Sequence, residues 1–414
     1  MILERSVSLS EAEAVVDKYF VDNNLLLTHA KYGEVLSSTV ASIYDVKTGE
    51  KLCVGCGKGY EKEALIGAKY ETYEHYEGLP ALRRASKLVP YEDIIAQKDL
   101  KNLLPMRLLS NSKPTAISAV EFTGPISNNY PLLWPSYLID YNYPFNKLSG
   151  DDADYKDACR YSCGTGLAAG VGYHEAAIHA ISEIIERHCV GSYLARNYFY
   201  DLNDKLHCVR RETLPEHVRE TYEEACKALG AAIQLIDISQ KGLPPVYIAC
   251  CKEHPVSGIQ IFGAGCSYYA SHSAHRAIKE LVQQYEVERG VSIVKQEWRK
   301  HKAHLLKYPH LLKCFLADIS DKKHVAISFR KDASLVSLEE HLAYLHRACA
   351  ERGLPVWAKE IHKTESGLSL VCAVMPLMER FSIVSLGNYV IPTTPYETYL
   401  ELDQENHYPK RSVL

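Results

Sequence analysis

Among the 414 residues no stretch approaches about 18 consecutive apolar side chains, which excludes a membrane-spanning helix. An excess of one charge sign is also missing. Fifty-one Asp+Glu face 47 Lys+Arg, a formal net charge of −4, so no basic footprint for nucleic acid or an anionic membrane is present. The opening Met1-Ile2-Leu3-Glu4-Arg5 lacks a basic region followed by an apolar stretch, so no signal peptide is expected and the location is expected to be cytoplasmic. Long disorder is excluded by ordinary proportions, 47% hydrophobic and 24% charged residues.

Cysteine, by contrast, is abundant. The 13 thiols are odd in number and scattered from Cys53 to Cys372, which reads as reduced cysteine rather than a disulfide framework. Two close pairs, Cys53/Cys56 and Cys159/Cys163, could supply four thiolates to a structural zinc. Small apolar filler near strand ends is the favoured reading of them.

Alternation and helical periodicity outline the chain. Ser10 and Glu13 have capping-box spacing ahead of a first amphipathic helix. Ser38–Tyr44, the turn Lys47-Thr-Gly-Glu50 and Lys51–Val54 read as a hairpin. Helices are expected over Glu61–Tyr76, Tyr173–Tyr193, Leu214–Leu229, Ala274–Glu288 and Leu338–Arg352. Strands are expected at Ala232–Ile236, Val246–Cys251, Ile259–Gly263, Val325–Phe329 and Leu368–Val374. Strands and helices mix without strict alternation, which predicts an α+β fold of mixed sheets with buried helices. The proline-rich stretch from Pro125 to Asp154 suggests a boundary, giving parts 1–150, 151–300 and 301–414.

The most informative feature is an internal echo. Glu63–His75 and Glu175–Arg187, 112 residues apart, share Glu63/Glu175, Ala64/Ala176, Ile66/Ile178, Ala68/Ala180, Glu71/Glu183 and Glu74/Glu186. Each copy follows a glycine-rich segment, Gly55–Gly59 or Gly164–Gly170. A looser third copy runs from Gly263-Ala-Gly265 to Arg276, Glu280 and Gln283. On a helix, Glu175, Glu183 and Glu186 fall within about 80° of one another. The stretch between them is largely apolar, so the helix is expected to be mostly buried. Buried carboxylates need cationic partners or a metal. Salt bridges to Arg187, Lys58 or Arg276 would satisfy them one by one. Converging helices carrying them would instead suit a nucleoside triphosphate held by Mg²⁺, with glycine-flanked helix starts offering N–H groups to phosphate.

Competing motifs fail. No Gly-x-x-x-x-Gly-Lys-Ser/Thr and no Gly-x-Ser-x-Gly occurs. The Gly164–Gly170 turn lacks the hydrophobic strand that a dinucleotide fingerprint requires. His174 and His179, five residues apart, point about 140° away from each other on a helix and cannot share a zinc.

Ser162-Cys-Gly-Thr-Gly-Leu-Ala-Ala-Gly170, Glu175-Ala176 and Glu183-Ile-Ile-Glu186-Arg187 together resemble the signature of the YcaO family. Gly57-Lys58-Gly59 with Glu71-x-x-Glu74 resembles that family's earlier element, and Arg276-Ala-Ile-Lys-Glu280-Leu-Val-Gln283 its later one. The resemblance implies an ATP- and Mg²⁺-dependent enzyme that activates peptide-backbone amides. Glu71, Glu74, Glu183 and Glu186 would be Mg²⁺ ligands. Lys58, Glu175, Arg187, Arg276 and Glu280 would contact nucleotide or complete the cluster, and Glu183, Glu186 and Arg187 would carry catalysis. His75 stands where the family usually has arginine, so no phosphate contact is transferred to it.

The implied reaction is cyclodehydration of Cys, Ser or Thr in a ribosomally made precursor peptide to thiazoline or oxazoline. Thioamide formation with a TfuA-type partner and a non-catalytic scaffold subunit are the alternatives. An ATP-grasp-like ligase is a further one. The ending Tyr408-Pro-Lys-Arg-Ser-Val-Leu414 has a single proline, which counts against the azoline subclass with a proline-rich tail. With core elements starting near Lys58, leader-peptide binding is expected to fall to a separate protein, ubiquitin-activating-like or TfuA-type. A homodimer or hetero-complex is compatible with this.

Overall fold

The computed structural model describes residues 4–123, 131–202, 204–252, 259–290 and 292–405. Pro125 and the ending Tyr408–Leu414 lie outside them. The fold is mixed α+β, as the interleaved periodicities predict.

Helix α1 (Leu9–Asp22) leads into an antiparallel sheet of β1 (Leu25–Tyr32), β2 (Ser37–Asp45) and β3 (Lys51–Gly59). The capping box closes on Ser8 and Glu11, not on Ser10 and Glu13. Both serines have a glutamate three residues on, and Glu13 is instead 2.9 Å from Lys69. The expected hairpin is present, with Ser38 opposite Lys58, and β1 adds an edge that the sequence reading missed. Helix α2 (Glu61–Ala85) covers this sheet and runs nine residues past its expected end at Tyr76. Gly78 and Pro80 argue against helix locally. Burial of Ala81 and Leu82 overrides them.

A small sheet of β4 (Ser86–Pro90), β5 (Ala116–Phe122) and β6 (Leu132–Pro135) follows. Trp134, Tyr137 and Tyr143, from the proline-rich stretch, are fully buried beneath it.

Strand β7 (Leu167–Val171) precedes helix α3 (Tyr173–Leu194). It joins β14 (Leu368–Val374), whose residues are all buried, and β13 (Trp357–Lys363) in a third sheet. The fourth sheet orders β11 (Phe262–Cys266), β10 (Val246–Cys251), β9 (Ile233–Asp237), β8 (Leu206–Val209) and β12 (His324–Ile327), with β8 and β12 parallel. Strand β11 begins three residues later than Ile259, because Gln260 donates its backbone N–H to Leu316 O, away from the sheet. Helices α4 (Glu216–Leu229), α5 (Ala270–Gly290) and α6 (Leu338–Glu351) complete the larger elements.

The echo is now physical. Shifting the end of β3 at Gly59 and the start of α2 at Glu61 by 112 residues lands on the end of β7 at Val171 and the start of α3 at Tyr173. Strand β11 and α5 form the third strand–helix unit. The glycines of the first and third units are not phosphate-binding turns. They lie within β3 and β11, where they let a helix press on the strand. A Cβ on Gly57 would stand 1.8 Å from Ala64 O, and one on Gly263 would stand 2.3 Å from Ala277 O.

Candidate functional site

Helices α2, α3 and α5 converge on one cavity of about 860 Å³. Glu71 and Glu74 enter it from α2; Glu175, Glu183, Glu186 and Arg187 from α3; Arg276 and Glu280 from α5; and Lys58 from β3. All nine residues singled out in the sequence line this one space. Their spacing explains it: Glu71/Glu74 and Glu183/Glu186 are each three apart, on one helical face.

One-to-one neutralisation does not account for the acids. Lys58 pairs with Glu280. Arg276 Nη1 donates to His179 Nδ1 at 3.1 Å, leaving Arg276 Nε buried without a partner. Arg187 Nε reaches no closer than 3.9 Å to Glu183. Glu183 accepts the Gly166 N–H at 3.1 Å, and Glu74 accepts the Ala169 N–H at 3.2 Å. Among the described residues no hydrogen bond or ion pair satisfies Glu186, although the residue is only 3% exposed.

The charges register this crowding. Burial, aided by Glu183 and Glu71, pushes the Glu74 carboxyl well above the usual range. Burial raises Glu183, against the pull of Arg187. Burial and then the Glu280 charge raise Glu186, and burial raises Glu71 against His75. Glu280 moves the other way: burial opposes its charge, but Lys58, Arg187 and Arg276 outweigh that and hold it low. Burial, then Arg276, pushes His179 down to about 3, so its neutral imidazole can accept from Arg276.

This donor set suits a hard cation: carboxylate oxygens, one of them orphaned, facing basic side chains across a cavity large enough for a nucleotide. Among the described residues no three His, Cys, Asp or Glu side chains stand close enough to enclose a metal by themselves. A bound Mg²⁺ would therefore share its coordination with waters and phosphate oxygens, its usual habit. The Cys53/Cys56 and Cys159/Cys163 pairs form no such group either. Cys53 donates to Thr72 O and Cys159 to Lys156 O.

Burial shifts these carboxyls toward the protonated form, and a bound cation shifts them back toward the ionised one. Binding of Mg²⁺ with a non-hydrolysable ATP analogue should therefore release protons. Calorimetry in buffers of different ionisation enthalpy measures this, and Glu74→Gln should reduce the release. A folded-state carboxyl raised above its unfolded value loses its stabilising contribution as pH rises through the folded value. The ligand-induced rise in melting temperature should accordingly be larger near about pH 7 than near about pH 5. His188 and His346, whose depressed values act in the opposite sense and which do not line the cavity, contribute with and without ligand and drop out of that difference.

Several wall residues carried no sequence signal. Ser6 donates both its N–H and its hydroxyl to Glu175 at 2.9 Å, and Arg5 stands 3.8 Å from the same carboxylate. Glu4 meets Ser267, His272 and His341. These contacts join residues more than 160 positions apart, beyond any local pattern. Lys279 pairs with Glu63 at 2.7 Å, tying α5 to α2, so the first glutamate of the echo is a wall anchor in both copies. His75 donates its Nδ1–H to Val54 O, 2.6 Å away, on the cavity rim.

A family model described as YcaO cyclodehydratase, ATP- and Mg²⁺-binding, matches residues 56–379. No curated protein matches the chain. Among solved structures, YcaO from Methanopyrus kandleri bound with AMPPCP and Mg²⁺ is similar at a TM-score of 0.63 and 16% identity, over 95% of this chain and 96% of that one. A heterocyclase in complex with substrate and cofactor is similar at 0.66 and 15% identity, over 94% of this chain but 56% of that one. The E. coli microcin synthetase McbBCD complex with pro-MccB17 bound is similar at 0.56 and 12% identity, over 86% and 88%. Such identities speak to the fold. Among the described residues no helix is long and apolar enough to cross a membrane. With its family match covering most of its length, the chain belongs to the YcaO family, and its cofactors are ATP and Mg²⁺.

Proposed function

We propose that the chain activates backbone amides of a ribosomally made precursor peptide, cyclodehydrating Cys, Ser or Thr to thiazoline or oxazoline. The observation that carries this is the meeting of Glu71, Glu74, Glu183 and Glu186 with Lys58, Arg187 and Arg276 in one cavity. When bound, ATP and Mg²⁺ supply an electrophilic phosphoryl group for the amide oxygen. Within this reading Glu71, Glu74, Glu183 and Glu186 supply carboxylates that would share Mg²⁺ with waters and phosphate oxygens, and Arg187 and Arg276 face the phosphate oxygens with permanently charged guanidinium groups. Lys58, held by Glu280, adds a third cation on the same wall. Arg276 is oriented by the neutral His179, and its guanidinium carries its charge to the phosphate side of the cavity. Such a site acts by positioning and electrostatics rather than by a protein nucleophile. Glu175, held by Ser6 and Arg5, fixes the wall on which α3 begins. A separate leader-binding protein completes the reading.

The test is the mass of each candidate precursor peptide encoded beside the gene, co-expressed with this chain and its neighbours. Loss of about 18 Da per modified residue is the expected result. A gain of about 16 Da would replace this reading with thioamide formation and a TfuA-type partner. Absence of Mg²⁺-dependent nucleotide binding would leave a scaffold subunit instead.

A further inference from the structure

A second cavity of about 270 Å³ adjoins the first and shares Glu74, His75, Leu167, Glu183 and Arg187 with it. Cys163, Thr165 and Ser382 add small side chains to its wall, and the remainder is larger and more apolar. Leu79 comes from α2, Leu167 from β7, Tyr141 from the turn after the short helix Ser136–Leu138, and Ile383 and Leu386 from the short helix Phe381–Leu386. Tyr141 and Leu386 are 55% and 62% exposed, so both offer apolar surface to a group entering this cavity. Its volume lies below the roughly 300–1,000 Å³ that houses a whole small-molecule ligand. Arg187 is its one permanent cation and already faces the larger cavity, so a second phosphate site is a poor fit.

Resting on the amide-activation reading above, we propose that this cavity receives an apolar side chain of the peptide substrate adjacent to the amide being activated. Tyr141, Ile383 and Leu386 make that selection. Contact with Glu74, Glu183 and Arg187 sets the peptide bond beside the charged groups, while Leu79, Tyr141, Ile383 and Leu386 take the neighbouring side chain out of water. Removing an aliphatic side chain from water in this way distinguishes it from a charged one by about tenfold or more in affinity.

The experiment uses the full chain with Mg²⁺ and AMPPCP, and acetyl-photoleucyl-cysteine amide as the probe. Irradiation should label Tyr141 or the 383–386 segment. Acetyl-Leu-Cys amide should suppress labelling at about tenfold lower concentration than acetyl-Asp-Cys amide. Leu386→Asp should lower labelling about tenfold, and Tyr141→Asp provides a second variant at an exposed position. Scattered or absent labelling, or equal suppression by both competitors, overturns the proposal. If AMPPCP binds with Mg²⁺ in the same samples, only the side-chain selection falls. If AMPPCP does not bind, the amide-activation reading falls with it.

Discussion

Glu183→Ala and Glu186→Ala should each lower ATP turnover by about 10²–10³-fold while the folded protein keeps its circular dichroism spectrum and cooperative melting. The reason lies in what each carboxylate touches. Glu183 has one backbone donor, Gly166 N–H, and a guanidinium at 3.9 Å; Glu186 has neither a hydrogen bond nor an ion pair among the described residues. Burial already disfavours their charge, so truncation removes a poorly satisfied acid rather than half of a tight pair. Little stability should be lost. The charge that holds a cation against phosphate, however, goes with it. Lys58→Ala should behave differently, since it strands Glu280, whose low value depends first on Lys58. Turnover at the wild-type rate in both glutamate variants would remove these residues from the metal site.

Gly57→Ala and Gly263→Ala should be among the most destabilising single-methyl changes in the described residues, costing about 3 kcal/mol or more. The obstacles are backbone atoms, which cannot swing aside. At Gly57 they are Ala64 O and Ala68 N at 1.8 and 2.4 Å; at Gly263 they are Leu281 N and Ala277 O at 2.2 and 2.3 Å. Pushing either helix off its strand moves a wall of the cavity, carrying Glu71 and Glu74 in one case and Arg276 and Glu280 in the other. Urea denaturation measures the loss, and nucleotide affinity should fall with it. Gly164→Ala is the control, because a Cβ there meets nothing within 4 Å. Equal stability of all three variants would show that the strand–helix contact is looser than this.

The same glycines mark where sequence reasoning succeeded and where it stopped. A helical repeat of Ala, Ile and Glu is legible because a buried helix must repeat small and apolar residues against its strand, and the cavity acids ride on the same period. Helices α2 and α3 are therefore legible with their glutamates, and β10 and β14 with their bounds. The glycines stand out too, but a sequence does not distinguish a glycine that yields N–H groups to a ligand from one that yields room to a helix. Strand β1, with most side chains exposed or half-buried, has no clean alternation to read. The extension of α2 past Pro80 depends on burial of Ala81 and Leu82 supplied from elsewhere. The strap at Glu4, Arg5 and Ser6 depends on partners that only the folded chain brings near.

The three strand–helix units stand on three different sheets, and their acids and bases come from residues 58 to 280. During synthesis the polypeptide consequently has no complete set of these cavity acids and bases until α5 has left the ribosome. Products that stop before it lack Arg276 and Glu280 and also β14, the strand on which β7 pairs, so neither the third cavity wall nor the sheet beside α3 can form in them.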